Sequence, residues 1–196
     1  MARKKAVGTP RERILEAALH AFAANGAAAS SIQDVANVAG MSKQALLHHF
    51  KTKELLRAGV YELLAQRLND QLPAAAAELV SRSYDRYKGL IEVAQRRLQE
   101  SPELTRFLVF ELLERPDAVL EWMSTEAAPW LGLIRGVVEQ SKDVQPGFDP
   151  EAHLSVLGLL MMAQSALIPR GDPRWRKRID AATLRLMFLG SHLTPG

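Results

Sequence analysis

The stretch from Ser31 to Phe50 restricts the fold of this 196-residue chain more than any other. Ser31 carries a hydroxyl that can accept from a free backbone N–H and so open a helix, and Val35, Ala36 and Val38 supply the buried side of that helix. Gly40 stands where the chain must turn sharply, a place that suits a residue without Cβ. Ser42 opens a second helix that runs to Phe50. Leu46 and Phe50 are four residues apart and therefore share its inner face, which leaves Lys43, Gln44, Leu47 and His48 outside. Two short helices joined by a glycine turn, the second showing polar and cationic groups outward, form a helix-turn-helix, whose outer helix is shaped for the major groove of DNA.

The flanking sequence extends this pattern into an all-helical chain. Residues 1–9 are basic, with Arg3-Lys4-Lys5, and have no apolar period, so they read as a flexible arm. Pro10 suits a first helical turn, and Ile14, Leu15, Ala18, Leu19 and Phe22 recur at helical spacing until Asn25-Gly26 ends the helix. A fourth helix opens at Thr52, with Glu54 near its N-terminus, and carries Leu55, Leu56, Val60, Leu63, Leu64 and Leu68. Pro73, which lacks a donor, is expected to kink or end it. Further helices are expected over 84–99, between Pro102 and Pro116, and over 117–140 with an irregularity at Pro129. After the loop 145–150, two more are expected over about 151–168 and 174–192. No strand pattern occurs. The expected fold is all-α: an arm over 1–9, a three-helix helix-turn-helix head within 10–68 (motif 31–50), and a larger helical body over 69–196.

Composition narrows the setting. Apolar residues at 47% and charged residues at 24% are ordinary for a globular protein. There is no cysteine, which removes disulfides and thiolate metal sites and fits a reducing cytoplasm, the expected location. The basic start followed by alanines is not read as a secretory signal, because Arg11, Glu12, Arg13, Glu16 and His20 interrupt its apolar part. The most apolar stretch, Leu154 to Ile168, contains Ser155, Gln164 and Ser165 and falls short of the roughly 20 residues of a membrane span. Residues 1–68 hold ten Lys or Arg against five Asp or Glu, a net +5, whereas residues 69–196 hold fifteen against seventeen, a net −2. The basic excess thus lies with the helix-turn-helix, where phosphates would be met.

Val35-Ala36 with Ala39-Gly40-Met41-Ser42-Lys43, followed by Leu46 to Leu56, resembles the signature of the tetracycline-repressor (TetR) family, and the likeness reaches upstream through Arg13 to Ala18, Phe22, Asn25 and Gly26. It covers roughly the first 60 residues. Three positions depart from the family pattern: Ala45 stands where Thr is common, Leu47 where a phosphate-contacting Tyr is usual, and His49 where an aromatic is frequent. The resemblance implies a transcriptional regulator, most readily a repressor, that binds a palindromic double-stranded DNA operator as a homodimer. It also implies release by a small molecule held in the body.

The residues assign candidate roles. Gln44 can pair with adenine, Lys43 with guanine or a phosphate, and Ala45 and Leu47 with apolar groups such as a thymine methyl. Ser42 opens this helix; Ser30, Ser31, His48, His49 and Lys53 read as phosphate contacts, Lys53 because it matches a family position. Leu154, Leu157, Leu160, Met161 and Ile168 form one expected dimer face, and Ile179, Leu184, Leu186, Met187 and Leu189 another. Phe107, Phe110, Trp122, Met123, Trp130, Met161 and Met162 are candidates for an apolar pocket, with Glu111, His153 and Gln164 as polar anchors, which suggests an apolar or aromatic ligand. The same side chains at helical spacing also suit plain core. No cofactor or metal is expected. Nothing resembles a phosphate loop, a nucleophile elbow or a zinc-protease motif, so an enzyme is the weaker alternative. A helical interaction protein with degraded DNA binding is the other.

Overall fold

The structure, a computed structural model, describes residues 8–81, 86–126, 128–139, 158–160 and 162. Among these it is helical throughout, in the order α1 (Pro10–Asn25), α2 (Ile32–Ala39), α3 (Lys43–His49), α4 (Lys53–Ser81), α5 (Arg86–Glu100), α6 (Pro102–Glu114), α7 (Pro116–Thr125) and α8 (Ala128–Glu139). The helices begin where the sequence offers caps. Thr9 Oγ1 accepts from the Glu12 N–H at 3.2 Å, and the Glu12 carboxylate accepts from the Thr9 N–H at 2.8 Å, with Pro10 in the first turn. Gly26 ends α1 at φ 81°. A Cβ there would meet the Glu114 carboxylate at 2.8 Å and the Phe110 ring at 3.3 Å, so glycine serves both the turn and the approach of α6.

Two expected boundaries move. The helix that opens after Thr52, whose hydroxyl accepts from the Leu55 N–H at 3.1 Å, does not stop at Pro73 but runs on to Ser81. Pro73 is exposed, so its ring faces outward while buried Leu64 and Ala65 before it and Ala75 and Leu79 after it hold the helix in place. The expected head boundary at Leu68 therefore falls inside one continuous helix. The single helix expected over 117–140 is instead two, α7 and α8, with Pro129 in the first turn of the second, where a missing donor costs nothing. The loop at 145–150 and the helix expected over 174–192 lie outside the described residues, as does most of that over 151–168.

Two apolar clusters organise the packing. The first joins α1, α2, α3 and α4 through residues that include Ile14, Phe22, Val35, Leu46, Phe50, Leu56 and Leu64, and it also takes in Phe107 and Leu108 of α6 and Trp122 of α7. The second gathers Ala75 and Leu79 of α4, Leu90, Ile91 and Val93 of α5, and Val137 of α8. Helix α4 is common to both, and Trp130 of α8 donates its indole N–H to the Leu68 carbonyl at 3.0 Å, between them. Two apolar expectations fail locally: Val38 is 51% exposed and Leu55 53% exposed. Leu55 lies on the outer side of a helix whose inner side is filled by Leu56, and Val38 borders an open cleft beside α1 and α4. No described helix is long and apolar enough to cross a membrane.

Phe107 is fully buried, its ring 6.2 Å from that of Phe22 and 5.4 Å from that of Tyr61. Phe107→Ala is expected to lower stability by about 3–5 kcal/mol, read as a drop in the midpoint of urea unfolding.

Candidate nucleic-acid interface

Helix α3 is presented from both ends and from beneath. At its start Ser42 Oγ accepts from the Ala45 N–H at 3.1 Å, and the preceding Gly40 adopts the left-handed conformation at φ 67° that the tight turn requires. Beneath it, Leu46 and Phe50 are buried. The Phe50 ring is seated by Gly59 of α4, where a Cβ would come within 2.9 Å of it, and is covered by the Arg11 guanidinium 5.3 Å from the ring centre. Arg11 is in turn paired with Glu62 at 2.8 Å. Helix α2, which braces α3, is closed by a reciprocal cap. The Ser31 hydroxyl accepts from the Asp34 N–H at 3.1 Å, while the Asp34 carboxylate accepts from the Ser31 hydroxyl at 2.7 Å and the Ser31 N–H at 2.8 Å. Those two bonds, the hydroxyl's first, hold the Asp34 carboxyl below its ordinary value.

Lys43, Gln44, Ala45, His48 and His49 are exposed on α3, Leu47 is half-buried, and Lys43 and Lys51 put a cation at each end of the helix. The two histidine rings meet edge to face, 5.7 Å apart. These exposed side chains therefore lie together on one short helix.

Three of the expected phosphate contacts are used elsewhere. Ser30 is 3% exposed, and its hydroxyl is directed at the Gly26 carbonyl at 2.8 Å and the Ala21 carbonyl at 3.2 Å, so it is a buried structural hydroxyl. Ser31 is exposed, but its hydroxyl proton and N–H both go to Asp34. Lys53 donates to the carbonyls of Ala27, Ala28 and Ser30. A sequence shows which residues own donors, not which donors a fold has already spent.

The ligand candidates divide similarly. Phe107 is core, and Glu111 is fully buried in a polar knot. Arg57 Nε donates to both Glu111 oxygens at 2.7 Å, Arg57 also bonds Glu114 at 2.8 Å, and the Tyr61 hydroxyl donates to Glu111 at 2.9 Å. Burial alone would lower the Arg57 pKa; Glu111 and then Glu114 outweigh it and raise it. Burial first, then the bond to Glu111, push the Tyr61 phenol far above its ordinary range, so it remains a donor. Glu111 is thus not a free anchor in a pocket. Trp122 is buried beside Tyr61, with an indole N–H that has no partner; Trp130 spends its N–H on Leu68. Phe110 is half-buried against the Gly26 turn, and Met123 is exposed. Met162 packs against the first cluster. His153, Met161 and Gln164 lie outside the described residues. An open cleft of about 540 Å³ between α1, α2 and α4 is lined by Glu12, Glu16, His20, Val38, Arg67 and Asp70 among others, and by none of the ligand candidates. Of the dimer candidates only Leu160 is described, and it is 37% exposed; Leu154, Leu157, Met161, Ile168, Ile179, Leu184, Leu186, Met187 and Leu189 lie outside.

A helical chain that presents a capped, polar second helix from a glycine turn has the form of a helix-turn-helix DNA-binding protein. Residues 14–60 match the family described as bacterial regulatory proteins, tetR family. Over 46 residues it is 46% identical to an uncharacterized HTH-type transcriptional regulator, YerO, of Bacillus subtilis (strain 168), a match spanning 24% of this chain and 16% of that protein. The whole fold is also shared. The fatty acid degradation regulator FadR from Bacillus halodurans superposes with a TM-score of 0.70 at 14% identity, covering 97% of this chain and 100% of that one. The transcriptional regulator FadR from Bacillus subtilis, solved with stearoyl-CoA, gives 0.66 at 16% identity, covering 92% and 99%.

Sequence reasoning missed Arg11, Arg57, Tyr61 and Gly59, whose partners lie on other helices; the exception in plain sight was Gly59, a glycine inside an apolar helix. Glu111→Leu leaves the little-exposed Arg57 guanidinium facing only Glu114 and is expected to destabilise the fold by about 3–5 kcal/mol, measured by chemical denaturation beside the double variant Arg57→Leu/Glu111→Leu, which should recover part of the loss.

Proposed function

We propose that this protein is a ligand-responsive transcriptional repressor that binds a palindromic operator as a homodimer and is released by a small apolar or aromatic molecule. The observation that carries the reading is the outward face of α3, where Lys43, Gln44, Ala45 and His48 stand exposed while Leu46 and Phe50 fasten the opposite face to the core. Gln44 has the two-pronged amide that matches adenine N6 and N7, and Lys43 suits guanine O6 and N7 or a phosphate. Ala45 and Leu47 offer apolar contact to thymine methyls. Ser42, His48 and His49 supply backbone contacts beside them.

One head spans too few base pairs for useful specificity, which is the reason for a two-fold dimer. The apolar faces at 154–168 and 179–189 are its proposed surface. The remaining ligand candidates, Phe110, Trp122, Met123, Trp130, His153, Met161 and Gln164, lie beyond the head in sequence, in the proposed body over 69–196. A fold neighbour solved with stearoyl-CoA, whose acyl chain is long and apolar, supports an effector with a bulky apolar part. The absence of cysteine and the DNA target fit work in the cytoplasm.

Selection of duplexes from a random-sequence pool with the full chain is expected to return an inverted repeat, bound in gel shift with a steep loss of affinity as salt rises. Recovery of no preferred sequence would remove the regulator reading. Gln44→Ala should cost about 1–3 kcal/mol at one base pair of each half-site and relax the preference there. Sedimentation of the intact chain should give a dimer, and Leu157→Glu should shift it toward monomer; an unshifted dimer would place the interface elsewhere.

A further inference from the structure

The ammonium group of Lys53 sits among three backbone carbonyls, those of Ala27 at 3.0 Å, Ala28 at 3.1 Å and Ser30 at 3.3 Å. A lysine ammonium has three protons and no acceptor, so this cradle uses all of them. The carbonyls belong to the turn between α1 and α2. Helix α1 has no basic residue in its own last turn, and Lys53, from the first turn of α4, brings a cation to that negative end of the helix dipole. From within the turn, the Ser30 hydroxyl reaches the Gly26 and Ala21 carbonyls. The turn is thus tied to α1 by Ser30 and to α4 by Lys53.

That tie has a consequence for α3. Helix α2 leaves the turn at once, since Ser31 is its cap. Helix α3 is slung between α2, through the Gly40 turn, and α4, through Phe50 against Gly59. The pose in which α3 projects depends on how α2 and α4 are held relative to each other, and Lys53 bridges the two sides directly.

We propose that Lys53 is a positioning residue for DNA binding: it sets the pose of α3 by clamping the turn at 27–30 to α4, and it is not a phosphate contact. The proposal rests on the DNA-binding reading above and departs from what the family resemblance implies for this position. A compact ammonium with three rotatable donors suits three converging carbonyls, whereas a planar guanidinium does not.

The test compares the full chain with Lys53→Met and Lys53→Arg, each checked for folding by circular dichroism and held well below its melting temperature. Binding is measured across a salt series to a duplex selected by the wild type from a random pool and to a random-sequence duplex. A positioning role predicts that both variants lose roughly tenfold in affinity for the selected duplex, change little on the random duplex, and keep the wild-type slope of log K against log salt. A slope shallower by about 0.9 in Lys53→Met, with equal losses on both duplexes and recovery in Lys53→Arg, would make Lys53 a phosphate contact and overturn the proposal. Unchanged affinity in folded variants with lowered melting temperature would make the clamp merely structural and overturn it too. Should Lys53→Met fail to fold, Lys53→Arg decides alone by its affinity for the selected duplex. A wild type that binds neither duplex brings down the DNA-binding reading, and this inference with it.

Discussion

Phe107 of α6 fills the space between Phe22 of α1 and Tyr61 of α4, and the organisation of the molecule follows from that burial. The core formed by α1 to α4 is not closed by those four helices. It takes two residues of α6 and the indole of Trp122 from α7 as well. Burying an aromatic of this size is among the larger single contributions to a small core. Once Phe107 is in place, the next turn of α6 brings Glu111 to Arg57 and Tyr61. A carboxylate that is fully buried must be charge-paired and hydrogen-bonded to be tolerated, and here one guanidinium and one phenol meet both needs. Helices α4 and α6 are thereby joined by an apolar wedge and a polar knot on the same faces.

The outward face of α3 depends on this frame at one remove. Helix α3 has seven residues, too short to hold itself as a helix in isolation. It persists because Ser42 caps it, Leu46 enters the head core, and Phe50 is pressed against Gly59 under the Arg11 guanidinium. Cores packed to crystal-like density transmit small shifts instead of absorbing them, so the tilt of α3 is coupled to α4, and α4 to the helices beyond it. The capping of α2 by Ser31 and Asp34 and the clamp of Lys53 on the turn before it belong to the same support.

Much of this was legible in the chain. The apolar period of α1, with Ile14, Leu15, Ala18, Leu19 and Phe22, is buried as expected, and Ser31, Gly40 and Ser42 stand at the cap, turn and cap that their chemistry suggested. The differences between sequence and structure have specific causes. Val38 and Leu55 fit a helical period but remain exposed, Val38 at the edge of the open cleft between α1, α2 and α4. Pro73 was expected to kink or end α4, yet the helix runs on to Ser81, because packing on both sides of it outweighs one lost hydrogen bond. Ser30 and Lys53 own the right donors for phosphate and spend them on carbonyls. Glu111 resembled a polar anchor for a ligand because its partner Arg57 lies 54 residues away.

The sequence by itself determined the local events: where helices start, where glycine turns them, which faces are apolar, and the family that residues 14–60 match. These depend on residues within one or two turns of each other, whose capping and periodicity are properties of short segments. The tertiary structure alone decided which polar groups remain available outward. That outcome depends on distances between helices far apart in the chain, such as Lys53 to Ala27 and Arg57 to Glu111, and no local pattern encodes such a distance.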